Sequence, residues 1–235
     1  MSGTGNLWKN FGTMSPSSLK FFSYSCSDEI VKRLQQLVPS GSHIVDYGGG
    51  AGLMTGALPD AEFRVSFVDH SPDSITEVVH KYQDRPGFLD AYHVDDSNTL
   101  EPPADAVLML ELIEHLYDEP LSLAFQQVEE MLGPSGKLFI TTPNDEDLDK
   151  KQIYCPQCDF IRHRWQHVRR WDADSLRKFL QEKNFDVASI YAVHMLENLK
   201  NVGTLRFLIN VFKRFVNNLI SSKPANLVAV ATKKR

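Results

Sequence analysis

A run of glycines between a short apolar stretch and a helical one sets the tightest constraint on this chain. His43-Ile-Val-Asp-Tyr47 reads as a strand, Gly48-Gly-Gly-Ala-Gly52 follows at once, and Leu53 onward reads as a helix. Glycines let a backbone turn tightly and approach a ligand with no Cβ in the way. The helix that follows presents free N–H groups at its start. A Gly-rich turn in that setting opens a nucleotide-binding βα unit. Its dinucleotide form, GxGxxG, places a third glycine where this chain has Leu53 when counted from Gly48, so a dehydrogenase is disfavoured.

The alternation of strand and helix then continues. Arg64–Asp69 reads as a strand and Pro72–Tyr82 as a helix with Pro near its start. Ala91–Val94 and Ala106–Leu110 read as strands, Leu121–Leu132 as an amphipathic helix, Gly133–Gly136 as a turn and Lys137–Thr142 as a strand. After a break, a helix at Ala173–Lys183, a strand at Val187–Val193 and a last strand at Asn226–Thr232 restore the pattern. Upstream, a helix begins at Ser27, and residues 1–26 read as a loop or lid segment. Such alternation implies a parallel sheet with helices on both faces, an α/β fold of the Rossmann-like kind. One domain spans 27–235, with insertions at about 143–171 and 197–222. The chain's 235 residues suffice for one buried core and are short for two.

Two acids extend the glycine signal. Asp69 ends the second strand, where a carboxylate can take both ribose hydroxyls of an adenosine, and His70 beside it joins the same cofactor-binding set. Asp95, after the third strand, is placed to face an adenine amino group. Asp46 is placed to reach the amino end of the ligand, directly or through the loop.

The strings VDYGGGAG, FVDHS, LELIEHL and LGPSGKLFITTPN resemble motifs of class I S-adenosylmethionine-dependent methyltransferases. The resemblance runs from about Ser42 to Asn144 and implies a seven-stranded sheet of order 3-2-1-4-5-7-6. It implies that Asp46, Gly48, Gly50 and Gly52 line the methionine part of S-adenosylmethionine, Asp69 the ribose and Asp95 the adenine.

Glu111-Leu-Ile-Glu114-His115 follows the fourth strand, where an acceptor would meet the methyl donor. In a helical turn, residues at i, i+3 and i+4 share a face, and two carboxylates with an imidazole can hold a divalent cation. The string is similar to one found in ubiquinone-biosynthesis O-methyltransferases and in small-RNA 2′-O-methyltransferases. Some members of both bind magnesium with such a set and one later histidine, which implies Glu111, Glu114, His115 and His167 here. In the plainer reading Glu111 touches only the cofactor. Glu114, His115 and His167 are the catalytic candidates.

The first insertion offers a competing site. Cys155-Pro-Gln-Cys158 followed by His163 and His167 has the ligand types and count for tetrahedral zinc. The spacing resembles a zinc knuckle more than a finger. His167 cannot serve both metals, and reduced thiols with solvated histidines remain open. Without a metal, His115, His163 and His167 are general-base candidates. Arg162, Arg164, Arg169 and Arg170, interleaved with Trp165 and Trp171, make the loop locally basic. Such a mix can bind phosphate or stack on a base, or cover the site and pair with Asp145, Glu146 and Asp147; the favoured reading is an active-site lid that helps to choose an anionic substrate.

In the second insertion, Leu205, Leu208, Phe212, Phe215 and Leu219 make one apolar stripe, with Arg206, Lys213 and Arg214 on other faces. Such a helix suits either packing on the sheet edge or peripheral contact with an anionic membrane through 199–220.

The formal net charge of -5 disfavours nucleic acid as a partner. Three cysteines do not make a secreted disulfide scaffold. The N-terminus carries no apolar signal region and no apolar run reaches the length of a membrane span, so the cytoplasm is the default compartment. Together these readings point to an enzyme that methylates an oxygen on a small or lipid-linked molecule, a quinone precursor or a sugar. An RNA 2′-O-methyltransferase and a catalytically silent binding protein are the alternatives. Oligomeric state is open.

Overall fold

A computed structural model describes residues 22–195 and 223–234. Of the loop or lid segment expected at 1–26, residues 1–21 lie outside the described residues and Phe22–Ser25 form a short helix; the amphipathic helix expected at 197–222 also lies outside the described residues.

The strands are β1 (His43–Tyr47), β2 (Arg64–Asp69), β3 (Phe88–His93), β4 (Ala104–Leu110), β5 (Leu132–Pro143), β6 (Gln152–Cys155), β7 (Phe160–His163), β8 (Phe185–Val193) and β9 (Asn226–Lys233). The helices are α1 (Phe22–Ser25), α2 (Ser27–Leu34), α3 (Leu53–Ala57), α4 (Pro72–Tyr82), α5 (Asp118–Met131) and α6 (Ala173–Glu182). Seven strands form one sheet of order β3-β2-β1-β4-β5-β9-β8. β6 and β7 pair only with each other, so setting them aside turns this order into the expected 3-2-1-4-5-7-6. β1 pairs in parallel with β2 and β4, and β9 runs antiparallel to both β5 and β8.

Central strands are apolar because both faces are covered. Every residue of β1 is buried. On one face Val45, Val107, Met109, Leu138 and Ile140 pack with Phe125 and Val128 of α5 and Leu176 and Leu180 of α6. On the other, Ile44, Ala106, Leu108 and Phe139 pack with Ile30 and Leu34 of α2 and Met54 of α3. α4 is capped by Ser71, whose hydroxyl accepts from the Ser74 N–H, with Pro72 in its first turn. Asp172 and Ser175 form a reciprocal capping box on α6.

Three boundaries differ from the sequence reading by three residues or more. β3 begins at Phe88, because this edge strand leaves Leu89 and Asp90 exposed and shows no apolar run. α5 begins at Asp118, ahead of its first apolar contact, with acids in its first turn. Gly133–Gly136 is absorbed into β5.

The first insertion holds a single-turn 3-10 helix (Asp149–Lys151) and the β6–β7 hairpin. It leaves and rejoins the core at one place: Asn144 bridges to Trp171, and the Asp145 N–H donates to the Trp171 carbonyl. The hairpin register does not bring the proposed zinc set together. Cys155 pairs with Phe160 at the tip, whereas Gln152 pairs with His163 at the base. Three residues of strand separate the two ends by about 10 Å. Cys155 and Cys158 hydrogen-bond one another and join no larger cluster of metal-ligand groups among the described residues, while His163 and His167 turn to Glu146.

Gly52 has φ +66, and a Cβ built there would lie 2.5 Å from Val78 Cγ2, whereas Gly41 at φ +83 faces open space. Gly41→Ala is expected to cost about 1–2 kcal/mol of stability in denaturant unfolding, and Gly52→Ala about 1–3 kcal/mol more because Val78 must move. Replacing Cys155 and Cys158 together with Ser is expected to change stability by less than about 0.5 kcal/mol. A hairpin built on zinc would instead lose its fold with the metal.

Candidate active site

A cavity of about 1690 Å³ opens at the carboxyl ends of the central strands. It exceeds the roughly 300–1,000 Å³ of a single-ligand pocket and has room for two reactants. Gly48, Gly49, Gly50, Asp69 and His70 line one part of it, and Glu111, His115, Glu146, Lys151, His163 and His167 line another.

The glycine loop is held from below and open above. The Gly48 N–H donates to Val68 O at 2.7 Å, which continues the β1–β2 ladder. Asp46 Oδ2 accepts from the Thr55 N–H at 3.0 Å and from the Thr55 hydroxyl at 2.7 Å. Burial raises its carboxyl to about 6 against those bonds. Asp46 therefore ties the end of β1 to α3 and supports Gly49, whose built Cβ would sit 2.6 Å from Asp46 Oδ2. Of the two routes open to Asp46, the geometry favours action through the loop. Gly50 has φ +55 with nothing within 4 Å of a built Cβ, so its backbone faces free space.

Asp69 is buried and accepts the Gly50 N–H at 3.0 Å and the Ser71 N–H at 2.9 Å. His70 Nδ1 lies 3.2 Å from Asp69 Oδ1, a contact that raises the imidazole pKa. Two expected ligand residues fall elsewhere. Gly52 packs on Val78 and does not line the cavity. Asp95 is exposed, beside His93 at 3.4 Å, and is likewise absent from the cavity wall. Sequence reasoning missed a chain of part-buried bonds there: Tyr47 Oη donates to Gln127 Oε1 at 2.6 Å, and Gln127 Nε2 donates to Val94 O at 2.8 Å. No local motif marks Gln127, which reaches the site from the middle of α5.

Residues 111–117 form a tight turn between β4 and α5 rather than a helix. Glu111 has φ 48, and its side chain is directed to Asn226 Nδ2 at 3.4 Å. Burial raises its carboxyl to about 7. Glu114 is fully enclosed, and its Oε2 accepts from the Thr142 hydroxyl at 2.9 Å. Its Oε1 has no hydrogen-bond partner among the described residues. Burial, reinforced by the Glu111 charge, holds the Glu114 carboxyl well above the usual range.

The insertion is laced onto this turn. The Val168 N–H donates to Glu114 O at 2.8 Å, and Arg169 Nε donates to Leu116 O at 2.8 Å. That brings His167 against His115, with ring centroids 4.6 Å apart. Ligand atoms of Glu114, His115 and His167 lie within 4.8 Å of one another, and so do those of Glu146, His163 and His167. Glu111 is in neither group; its carboxyl is turned to Asn226. Burial, with the neighbouring His167, lowers the His115 imidazole to about 3. Burial alone would raise the Glu146 carboxyl, but its bonds to His167 and Lys151 override this and lower it to about 2. Glu146 was expected only as one acid among those the basic loop pairs with. Of its neighbours, Asp145 pairs that way, with Arg170 at 3.2 Å, whereas Asp147 pairs with Lys150 at 2.9 Å.

Residues 19–190 match a family model described as a methyltransferase domain. A ubiquinone biosynthesis O-methyltransferase of Coxiella burnetii is 30% identical over 113 residues, 47% of this chain and 47% of that protein. One from Xylella fastidiosa is 30% identical over 147 residues, 61% of this chain and 56% of that protein. The aligned region thus spans about half the length of these curated relatives. Among solved structures, 1,6-didemethyltoxoflavin-N1-methyltransferase of Burkholderia thailandensis, with bound 1,6-didemethyltoxoflavin and S-adenosylhomocysteine, superposes with a TM-score of 0.63 at 14% identity, covering 99% of this chain and 89% of that one. An S-adenosylmethionine-dependent methyltransferase from Clostridium acetobutylicum gives 0.62 at 12% identity with both chains fully covered. These likenesses establish the fold and leave the acceptor atom undecided. With the family match and the seven-stranded sheet together, the chain belongs to the class I S-adenosylmethionine-dependent methyltransferases.

Proposed function

We propose that the protein transfers a methyl group from S-adenosylmethionine to a hydroxyl oxygen of a small or lipid-linked acceptor. The observation that carries this reading is the joining of two sites in one cavity: the open backbone of Gly48–Gly50 beside Asp69, and the turn that holds Glu114 and His115 against His167.

The donor side fits an adenosyl ligand. Gly50 leaves the space a side chain would fill. Asp69 Oδ2 keeps a further lone pair beyond its bond from Gly50, enough for a ribose hydroxyl, while Oδ1 is shared between Ser71 and His70. On the acceptor side, Glu114, His115 and His167 would hold a divalent cation. The unpartnered Oε1 of Glu114, enclosed beside two imidazoles, is what a cation would satisfy. Bound there, a divalent cation lowers the pKa of an acceptor hydroxyl and orients its oxygen. The sulfonium is already a good leaving centre, so the protein's work is mainly alignment and exclusion of water.

The hairpin supports an acceptor with an apolar part. Phe160 and Ile161 line the cavity and are each 59% exposed, and Tyr154 adjoins them. Among the described residues no helix is long and apolar enough to cross a membrane. The strongly basic surface that RNA binding needs is offset by acids: Arg169 is paired with Asp118 and Arg170 with Asp145.

Asp69→Ala is expected to weaken S-adenosylhomocysteine binding by about 10–100-fold in calorimetry, the loss of about 1.5–3 kcal/mol of charged hydrogen bonds. Incubation with S-adenosylmethionine and a panel of catechols, sugars and short RNAs tests the acceptor. The expected product is a methoxy group, seen by NMR, on a catechol or sugar, formed faster with added manganese or magnesium. Glu114→Gln should slow it by on the order of 100-fold. Methylation of nitrogen, or of RNA alone, would overturn the reading.

A further inference from the structure

We propose that Glu146 is a positioning residue: it fixes the tautomer of His167 so that Nε2 presents its lone pair toward Glu114 and His115. The inference rests on the acceptor-site reading above and adds to it a residue outside the Glu-Leu-Ile-Glu-His turn.

The two clusters of ligand groups share His167, and hydrogen bonding tells them apart. Glu146 Oε2 is bonded to His167 Nδ1. The other oxygen, Oε1, is engaged by Lys151 Nζ. An ionised carboxylate only accepts, so the hydrogen of that bond resides on Nδ1. A neutral imidazole carries one ring hydrogen, which leaves Nε2 of His167 as a bare lone pair.

His163 is set the opposite way. Its Nδ1 accepts the backbone N–H of Trp165 at 3.3 Å and that of His167 at 3.1 Å. Its ring hydrogen therefore sits on Nε2, which lies 3.8 Å from Glu146 Oε1. In that tautomer His163 has no lone pair left to offer an ion. It stacks on His167 with centroids 4.5 Å apart and planes inclined by 27°, which supports the ring without competing for a ligand. The Glu146, His163 and His167 cluster is thus an orienting assembly. Only the Glu114, His115 and His167 cluster is arranged for binding.

Burial makes the arrangement rigid. The side chains of Glu146, His163 and His167 are 5%, 5% and 8% exposed. A carboxylate behind a metal-binding imidazole sets both its orientation and its basicity, and its loss typically costs 10–100-fold in metal affinity.

The test uses the full chain labelled with ¹⁵N-histidine, without and with manganese(II) chloride. Long-range ¹H–¹⁵N correlation spectra are expected to show a bare Nε2 on His167 and a bare Nδ1 on His163. Glu146→Ala should move His167 toward the other tautomer and weaken manganese binding by about 10–100-fold in calorimetry. Affinity for S-adenosylhomocysteine should stay unchanged, which confirms that the variant is folded. Glu146→Gln, whose carbonyl oxygen can still accept from Nδ1, should recover much of the manganese affinity. A hydrogen on Nε2 of His167 in the unsubstituted protein, or an unchanged tautomer in Glu146→Ala, would overturn the proposal. If the tautomers are as stated but manganese fails to bind, the cation part of the proposed function falls and the positioning role of Glu146 stands.

Discussion

The site depends on how the chain leaves β1. The first half of the sheet grows outward through β2 and β3, and the second half starts again on the other side of β1 with β4. Crossovers on opposite faces part at that point, and a crevice opens above the strand ends. The glycine loop after β1 and the turn after β4 therefore lie side by side. Their contact is close enough that a Cβ on Gly48 would come 2.6 Å from Leu112 Cδ2. A glycine is needed there for two reasons, its φ of +70 and the side chain of the neighbouring turn. Donor loop and acceptor turn are thus packed as one unit, which suits a reaction that depends on alignment more than on chemical activation.

The acidic groups around the crevice take different roles because their surroundings differ. Asp46 is buried and satisfied by Thr55, so it serves the backbone. Asp69 sits on the cavity wall, where it accepts the Gly50 and Ser71 N–H groups. Glu114 is buried with one oxygen unpartnered, a costly arrangement in a low-dielectric interior. Glu146 is also buried, yet ionised, since Lys151 and His167 neutralise it. One chemical group, placed in four environments, becomes a tie to Thr55, an acceptor of loop N–H groups, a buried acid with one oxygen unpartnered and an ion-paired carboxylate.

The inserted segment has two parts with separate work. Its return path, residues 163–171, is stitched by backbone bonds to the turn after β4 and delivers His167 to the site. Its hairpin carries exposed apolar side chains to the mouth of the cavity. A likeness of fold alone does not name the acceptor, and the inserted segment adds cavity-lining residues that the sheet does not supply.

Much of this was legible along the chain. The glycine run, the acid ending β2 and the apolar strands are local patterns whose periods and offsets follow from backbone geometry, so the sheet, its order by resemblance and the donor loop could be read before any contact was known. Glu114, His115 and His167 were legible as a set only through family resemblance. What the chain order could not supply was the partner of each group. Cys155, Cys158 and His163 are near neighbours in sequence, yet hairpin register sends the thiols to the tip and the imidazole to the base. Glu111 looks equivalent to Glu114, yet a positive φ turns it toward Asn226 on β9. Glu146 carries no motif, and its role comes from contacts with His167, which lies 21 residues away, and with Lys151. Secondary structure and cofactor loop were determined by the sequence because their causes are short-range. Which side chains meet around His167 was decided by tertiary structure, because contacts between distant segments select them.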